Sequence, residues 1–154
     1  DALLSLENNM NINSLSERTI LTPHLGEFGK MVNQSKRDVE DNFISIIEEF
    51  MVQYDGTLVL KTTPVSVIHN GQGSLNTSGN QGLASAGTGD VLAGCIGSFI
   101  AQGISPFDAG KLGVFIHGRA ADSLLDQTGY RGMTATDVIN EIPKVIREYE
   151  IRSL

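Results

Sequence analysis

The sequence predicts an α/β domain, because segments with helical spacing of apolar residues alternate with short β-prone apolar runs. The chain has 154 residues, of which 40% are hydrophobic. This composition is enough for a hydrophobic core, so we expect a single domain over residues 1–154. A third observation concerns function: a loop rich in glycine leads directly into an apolar helix near residue 90.

Short strands are predicted where apolar residues are followed by turn residues. Thr22-Pro23 ends the first strand, because a residue before proline is disfavoured in helical geometry. Asn70-Gly71 joins the last two strands as a hairpin, since both residues suit the left-handed conformations of a tight turn. The predicted strands are 19–21, 57–60, 65–69 and 73–76.

Two helices are predicted from apolar residues three and four positions apart. Ser35 and Asp38 have the spacing of a capping box, and the pattern that follows predicts one helix from Ser35 to Met51. Val91 to Ile100 has the same periodicity and predicts a helix directly after the glycine-rich loop.

Two further helices are predicted in the last third of the chain. Ser105 and Pro106 begin a helix that continues to about Leu125, because serine caps helices and proline suits their first position. Thr134 to Asp137 caps a last helix, in which Pro143 can bend the axis. The predicted buried face of the first of these helices includes Leu112, Phe115 and Ile116.

Composition and charge exclude some classes of partner. The net charge of −7 and only 11 basic residues argue against a nucleic-acid surface, which needs clustered Lys and Arg. Cys95 is the only cysteine, so an intrachain disulfide is impossible and we expect a cytoplasmic protein. No membrane span or secretory leader is recognisable. Asp1 reads as a cap after a strand, so we expect that an N-terminal part of the domain is absent from this sequence.

The segment Gly87-Thr88-Gly89-Asp90 predicts an anion site. Glycines let backbone amides approach a ligand without an intervening Cβ, and the first N–H groups of a helix have no intrahelical partner. A carboxylate beside an anion is unfavourable, unless Asp90 accepts a proton from a hydroxyl that attacks phosphorus. The alternative is that Asp90 only complements the helix dipole. A P-loop is excluded, because its lysine followed by Ser or Thr is absent.

Three segments together resemble a known family. Asn-Thr-Ser-Gly-Asn-Gln-Gly-Leu-Ala-Ser-Ala-Gly-Thr-Gly-Asp-Val-Leu-Ala-Gly at 76–94 closely resembles the signature of the NAD(P)H-hydrate dehydratases. Thr-Pro-His-Leu-Gly-Glu at 22–27 and His-Gly-Arg-Ala-Ala-Asp at 117–122 are similar to that family's other motifs, in the same order. The resemblance implies a three-layer αβα ribokinase-like fold, of which this chain is the C-terminal portion.

The resemblance also implies an activity. These enzymes use ADP or ATP to return the 6-hydroxy hydrate of NADH or NADPH to the working cofactor. By analogy, Asp90 takes the proton of the C6 hydroxyl, the terminal phosphoryl group moves to that oxygen, and phosphate then leaves. Amides of Gly87 to Gly89 hold the phosphoryl group, and Mg²⁺ neutralises nucleotide charge.

Site residues follow from matching the motifs. His24 and Asp90 are implied to contact the hydrate, with a structural role as the alternative for His24. Glu27 is either an acid of the next helix's first turn or lies near magnesium, and the first role is favoured. Thr62 departs from the family's usual glycine, which puts close backbone approach in doubt there. The implied nucleotide-binding residues are Lys61, Thr62, Thr63, Pro64, Val65, Asn80, Gly87, Thr88 and Gly89.

Several alternatives stay open. His69 is expected to be exposed, and His117 is expected to be a hydrogen-bonded core histidine. Lys61 has a solvated surface amine as its alternative role. The activity has two alternatives: a small-molecule kinase acting on a vitamin precursor or sugar, or an inactive nucleotide-binding subunit. The resemblance further implies a homo-oligomer, a tetramer or larger, and an epimerase partner enzyme.

Overall fold

A computed structural model describes Ile12, Leu15 and residues 17–152, so the predicted cap at Asp1 lies outside the described residues. The chain forms two compact units, one up to Leu75 and the other from Asn76 onward. No helix of the described part is long and apolar enough to cross a membrane.

The first unit is built on a mixed four-stranded sheet with the order β1-β2-β3-β4. β1 lies parallel to β2, with Leu21 opposite Leu58, and β2 lies antiparallel to β3, with Val59 opposite Val67. The turn between β3 and β4 contains Asn70 and Gly71 at φ values of 45° and 72°, which confirms the predicted hairpin. The strands are Ile20–Leu21 (β1), Thr57–Leu60 (β2), Val65–His69 (β3) and Gln72–Asn76 (β4).

His69 is not simply exposed, as the sequence predicted. It is half-buried at the end of β3, and its Nδ1 lies 3.1 Å from the carbonyl oxygen of Gly56. The prediction was wrong because the partner is a backbone carbonyl 13 residues away, which no local pattern reveals.

The single helix predicted from Ser35 to Met51 is interrupted at Asn42. Asn42 has φ −123° and ψ 34°, and its side-chain amide donates to the Asp38 carbonyl at 3.2 Å. An asparagine that bonds to the backbone in this way competes with helical hydrogen bonding, which explains the interruption. The first unit therefore has three helices among its described residues: Leu25–Met31 (α1), Lys36–Asp41 (α2) and Phe43–Gln53 (α3).

The core of the first unit is formed by the sheet and these helices. Phe28 and Phe50 pack edge to face with ring centroids 5.2 Å apart, a favourable aromatic geometry. The Tyr54 hydroxyl donates to the Thr19 carbonyl at 2.8 Å, and burial raises the pKa of this phenol. The buried residues of this core are Leu21, Phe28, Val39, Ile47, Phe50, Tyr54, Leu58 and Leu60.

The second unit consists mainly of three helices. The first of them begins at Thr88, and a short 3₁₀ helix, Gln81–Ala84, lies in the loop before it. The second continues past the predicted end near Leu125, with an interruption at Gly129, where φ is 59° and ψ is 178°. The third contains Pro143. These helices are Thr88–Ala101 (α4), Pro106–Gly132 (α5) and Ala135–Arg152 (α6).

The buried face of α5 differs from the predicted one. Leu112 is 39% exposed, whereas Ile116 is buried and Phe115 is half-buried. Small residues take the central positions of this face, because they let neighbouring backbone approach the helix closely, and the sequence reasoning searched only for large apolar residues. The buried residues of α5 are Ala109, Gly110, Gly113, Val114, Ile116, His117, Gly118, Ala120, Ala121 and Leu124.

Candidate functional site

His24 caps helix α1 directly after β1. Its Nδ1 accepts the backbone N–H of Glu27 at 3.0 Å, and the Glu27 carboxylate accepts the backbone N–H of His24 at 2.6 Å. This is a capping box in which histidine takes the usual place of serine or threonine. Because Nδ1 is an acceptor here, a neutral ring carries its proton on Nε2, which lies 3.6 Å from the Glu27 carboxylate, and the side chain is 58% exposed. His24 can therefore donate from Nε2 to a ligand.

Lys61 lies beside this cap. A parallel bridge joins Lys61 to His24, so both residues follow the carboxyl ends of the parallel strands β1 and β2, where ligands of open α/β sheets bind. The Lys61 ammonium is 3.9 Å from the Glu27 carboxylate, and its side chain is only 27% exposed. It is held against the sheet edge by a carboxylate rather than extended into solvent.

The turn after Lys61 is fixed by its own side chains. The Thr62 hydroxyl donates to the Pro64 carbonyl at 2.7 Å, and the Thr63-Pro64 peptide bond is cis. Thr62, where the family usually has glycine, thus adds a hydrogen bond within the turn. These residues border an open cavity of about 640 Å³ in the first unit. Its lining is Leu25, Lys36, Glu40, Phe43, Ile44, Lys61, Thr62, Thr63, Pro64, Ser66 and Leu75. Val65, the last residue of the predicted nucleotide segment, begins β3 and is half-buried.

In the second unit, Gly87 is the N-cap of α4. It has φ 85° and ψ −15°, a left-handed conformation that strains residues with a Cβ. The N–H of Thr88 is 3.4 Å from the Ser85 carbonyl, while the N–H of Asp90 donates to the Gly87 carbonyl at 3.1 Å. Helix geometry leaves the second amide, that of Gly89, without an intrahelical acceptor. Gly89 therefore supplies the unpaired amide at this terminus, and Thr88 supplies one whose bond to Ser85 is long; both are candidate donors to an anion.

Asp90 occupies the first turn of α4 and is exposed. Its amide is used within the helix start, so only the carboxylate faces a ligand. An acceptor placed one position after the Gly89 amide can take a proton from a hydroxyl close to an anion at this helix start.

Asn80 and Thr88 use their side chains within the loop. The Asn80 amide oxygen accepts the N–H of Gly82 at 2.9 Å, and its NH₂ group donates to Asp122 at 3.2 Å. Thr88 is 3% exposed, and its hydroxyl donates to the Leu83 carbonyl at 2.6 Å. Any nucleotide contact from these two positions is thus left to the backbone.

Asp122 holds the loop before α4, a role that the sequence reasoning did not assign. One carboxylate oxygen accepts the N–H of Gly79 at 3.0 Å, and the other accepts the side chain of Asn80. Arg119, one turn earlier on α5, lies 3.7 Å from the same carboxylate. The sequence signal for Asp122 was the motif at 117–122, which ends at this residue but assigns no role to it.

We expect Asp122→Asn to lower the free energy of unfolding by about 1–2 kcal/mol, because an amide cannot accept both hydrogen bonds. Urea unfolding of the two proteins measures the difference. Asp126→Asn is the matched control on the same helix, since Asp126 is exposed. Equal losses in both variants would contradict a specific role for Asp122.

The described residues contain no group of three or more His, Cys, Asp or Glu side chains that could hold a metal ion. Glu27 is already engaged by the His24 amide and lies beside the Lys61 ammonium, so it does not fit a magnesium ligand. Mg²⁺ commonly binds through substrate phosphates with one or two carboxylates, an arrangement that needs no such cluster.

Comparison with known proteins decides between the families that share a glycine-rich helix start. A family model described as NAD(P)H-hydrate dehydratase matches residues 1–144. The chain belongs to this family. The match includes all three motifs on which the resemblance rested.

Curated relatives are named for the repair or the dehydration of NAD(P)H hydrate. It is 35% identical over 132 residues to the bifunctional NAD(P)H-hydrate repair enzyme Nnr of Moorella thermoacetica, covering 85% of this chain and 25% of that protein. It is 36% identical over 116 residues to the ADP-dependent (S)-NAD(P)H-hydrate dehydratase of Neisseria meningitidis, covering 71% of this chain and 38% of that protein.

Solved structures confirm the fold class. The ADP/ATP-dependent NAD(P)H-hydrate dehydratase of Bacillus subtilis, co-crystallised with ATP and Mg²⁺, matches with a TM-score of 0.79 and 28% identity. That match covers 88% of this chain and 52% of the solved chain. A ribokinase-like superfamily protein of Enterococcus faecalis matches with a TM-score of 0.75 and 27% identity, covering 88% of this chain and 46% of that chain. The predicted ribokinase-like α/β fold is confirmed, and the chain spans about half of these structures.

Proposed function

We propose that the protein uses ADP or ATP to dehydrate the (S)-hydrate of NADH or NADPH, and so repairs the damaged cofactor. The observation that carries this proposal is Asp90 in the first turn of α4, directly after the amides of Thr88 and Gly89, in a chain of the dehydratase family. Relatives named for this reaction and the solved B. subtilis enzyme support it.

The chemistry requires a better leaving group than hydroxide. Asp90 accepts the proton of the C6 hydroxyl, and the oxygen attacks the terminal phosphorus of the nucleotide. The bond between that phosphorus and the nucleotide's bridging oxygen breaks as the new P–O bond forms. Phosphate then leaves from C6, a proton is lost from the neighbouring carbon, and the ring double bond forms. The phosphoryl step thereby becomes the route to elimination.

The transferring group is negatively charged, and α4 presents its positive end to it. The helix dipole places about half a positive charge at this terminus, where the amides of Thr88 and Gly89 can donate to phosphoryl oxygens. When bound with the nucleotide, Mg²⁺ supplies further charge neutralisation. These groups stabilise charge that develops in the transition state, so their main effect is on turnover.

The first unit supplies residues for recognition. We assign Lys61 and the turn 62–65 to the adenine nucleotide, supported by the cavity that Lys61, Thr62, Thr63 and Pro64 border. The Lys61 ammonium borders this cavity and can meet phosphate charge there, although the Glu27 carboxylate lies 3.9 Å from it. His24 is assigned to the hydrate, because its ring is 58% exposed and its Nε2, 3.6 Å from the Glu27 carboxylate, can donate to a ligand.

The family resemblance is also the basis for our proposals on oligomeric state, location and partner enzyme. A homo-oligomer, a tetramer or larger, located in the cytoplasm remains our prediction, and light scattering of the purified protein measures the assembly. An epimerase is the proposed partner. Curated relatives named as bifunctional repair enzymes support this pairing, because they join a second activity in one chain.

The test is regeneration of reduced nicotinamide from its purified hydrate. We expect the nicotinamide absorbance to recover in the presence of ADP or ATP and Mg²⁺, with one phosphate released for each hydrate consumed. The matched control omits the nucleotide, and we expect no recovery of the nicotinamide absorbance in it. If the absorbance did not recover and another alcohol were converted to its phosphate ester, the protein would be a small-molecule kinase. Nucleotide binding without either product would assign it as an inactive subunit.

A further inference from the structure

The Thr88 side chain points away from the anion site. It is 3% exposed, and its hydroxyl lies 2.6 Å from the Leu83 carbonyl and 2.8 Å from the Ser85 carbonyl. One hydroxyl thus spans two carbonyls of the loop that precedes α4. It ties the first residue of the helix to the loop on the buried side, and the Thr88 amide also contacts this loop, 3.4 Å from the Ser85 carbonyl.

That loop is itself fixed by α5. The N–H of Leu83 donates to the Asn80 carbonyl at 3.1 Å, and the Asn80 side chain is held by Asp122 of α5. The Ser85 hydroxyl donates to the Met133 carbonyl at 2.8 Å. Both carbonyls that Thr88 contacts therefore belong to backbone with a fixed position.

His117 of α5 reaches Thr88 from the buried side. Its ring is 6% exposed and is hydrogen-bonded to the Thr88 backbone. Burial lowers the pKa of His117 to about 4, which keeps the ring neutral, and the bond to the Thr88 backbone acts in the opposite direction. A bond that favours the protonated ring is one in which the ring is the donor and a backbone carbonyl the acceptor. Nε2 is buried without a partner among the described residues, which leaves Nδ1 as the donor.

We propose that Thr88 and His117 are positioning residues. They hold the first turn of α4 from its buried side and thereby determine the position of the Asp90 carboxylate. Asp90 follows Thr88 by two residues, and its N–H is bonded to Gly87 at the same turn. A shift of this turn moves the base relative to the hydroxyl that it deprotonates. This inference rests on the proposed function for its effect on turnover.

The test is a pair of substitutions at Thr88. Thr88→Val keeps the shape and removes the hydroxyl, whereas Thr88→Ser keeps the hydroxyl. We expect kcat of the valine variant to fall about tenfold or more, since small misplacements of a catalytic group have effects of this size. The serine variant should recover most of this loss. Equal kcat values in the two variants, or a valine variant with wild-type kcat, would overturn the proposal.

Thr128→Val is the matched control for a lost threonine bond. The Thr128 hydroxyl also donates to two carbonyls, those of Leu124 and Gly129, each at 3.1 Å, and it lies outside the loop. We expect this variant to lose thermal stability while kcat below the unfolding transition stays unchanged. A fall in kcat equal to that of Thr88→Val would reduce the role of Thr88 to stability alone.

A second pair of variants and a readout without turnover complete the test. His117→Asn keeps a donor at the position of Nδ1, and His117→Leu has the same branching without a donor. We expect the amide hydrogens of Asp90 and Val91, both bonded to Gly87, to exchange faster in the leucine variant than in the asparagine variant. Equal exchange would overturn the proposal. A wild-type protein that fails to convert the hydrate would instead refute the proposed function, since exchange is measured without substrate.

Discussion

Replacing Asp90 by asparagine is expected to lower turnover by about a hundredfold or more, the scale of losing a general base. The amide has nearly the same shape and keeps the first turn of α4, but it cannot accept the proton of the C6 hydroxyl. Nucleotide affinity should be retained or increase, because a negative charge beside the phosphates has been removed. Hydrate turnover at saturating nucleotide and a separate measurement of nucleotide binding test the two halves of this expectation.

Asp108 offers a matched control for the alternative role of Asp90. It is also an acid in the first turn of a long helix, where Ser105 and Lys111 lower the pKa of its carboxyl. Asp108→Asn should therefore weaken the start of α5 without changing turnover. If Asp90→Asn behaved in the same way, with lower stability and unchanged turnover, Asp90 would serve only the helix dipole.

Local chemistry explains which elements could be predicted from the sequence. Strand β2 and the β3–β4 hairpin follow from apolar runs beside Gly56 and the Asn70-Gly71 turn, all within a few residues. The caps at Ser35 and Ser105 were equally local, because a side chain bonds to the backbone three residues ahead. The break at Asn42 was missed, since the spacing of apolar residues continues across it and only the asparagine's own hydrogen bond reveals it.

The candidate site was predicted in part for the same reason. Glycine at positions 87 and 89 and the acid at 90 are adjacent in sequence, so the helix start could be predicted, and the anion site there stays a prediction. Asp122 is hydrogen-bonded to Gly79, which lies 43 positions earlier in the sequence. The periodicity of the sequence does not reveal a contact between residues so far apart. His24 illustrates an intermediate case: the motif marked the residue, but its use of Nδ1 as a helix cap is visible only in the structure.

Gly118 connects the packing of α5 to the position of the loop before α4. Its substitution is the second change from which we expect a large effect. A Cβ at this position would contact the Ser78 hydroxyl and lie 2.7 Å from the Ser78 carbonyl carbon and oxygen. Ser78 cannot move freely, because its hydroxyl donates to Asn76 at 2.9 Å and to the Phe115 carbonyl at 3.1 Å. Gly118→Ala must therefore displace backbone at the start of the loop 77–87, which joins β4 to α4.

We expect Gly118→Ala to lower the free energy of unfolding by about 3 kcal/mol, the upper part of the range for overpacking, because the obstacle is backbone. Turnover below the unfolding transition should fall as well, since the displaced loop leads to α4. Gly97→Ala on α4 is the control: nothing lies within 4 Å of its added Cβ, and alanine should stabilise the helix by about 0.5–1 kcal/mol. Urea unfolding and hydrate turnover measure both variants. A Gly118→Ala protein as stable and active as Gly97→Ala would show that α5 does not constrain the loop.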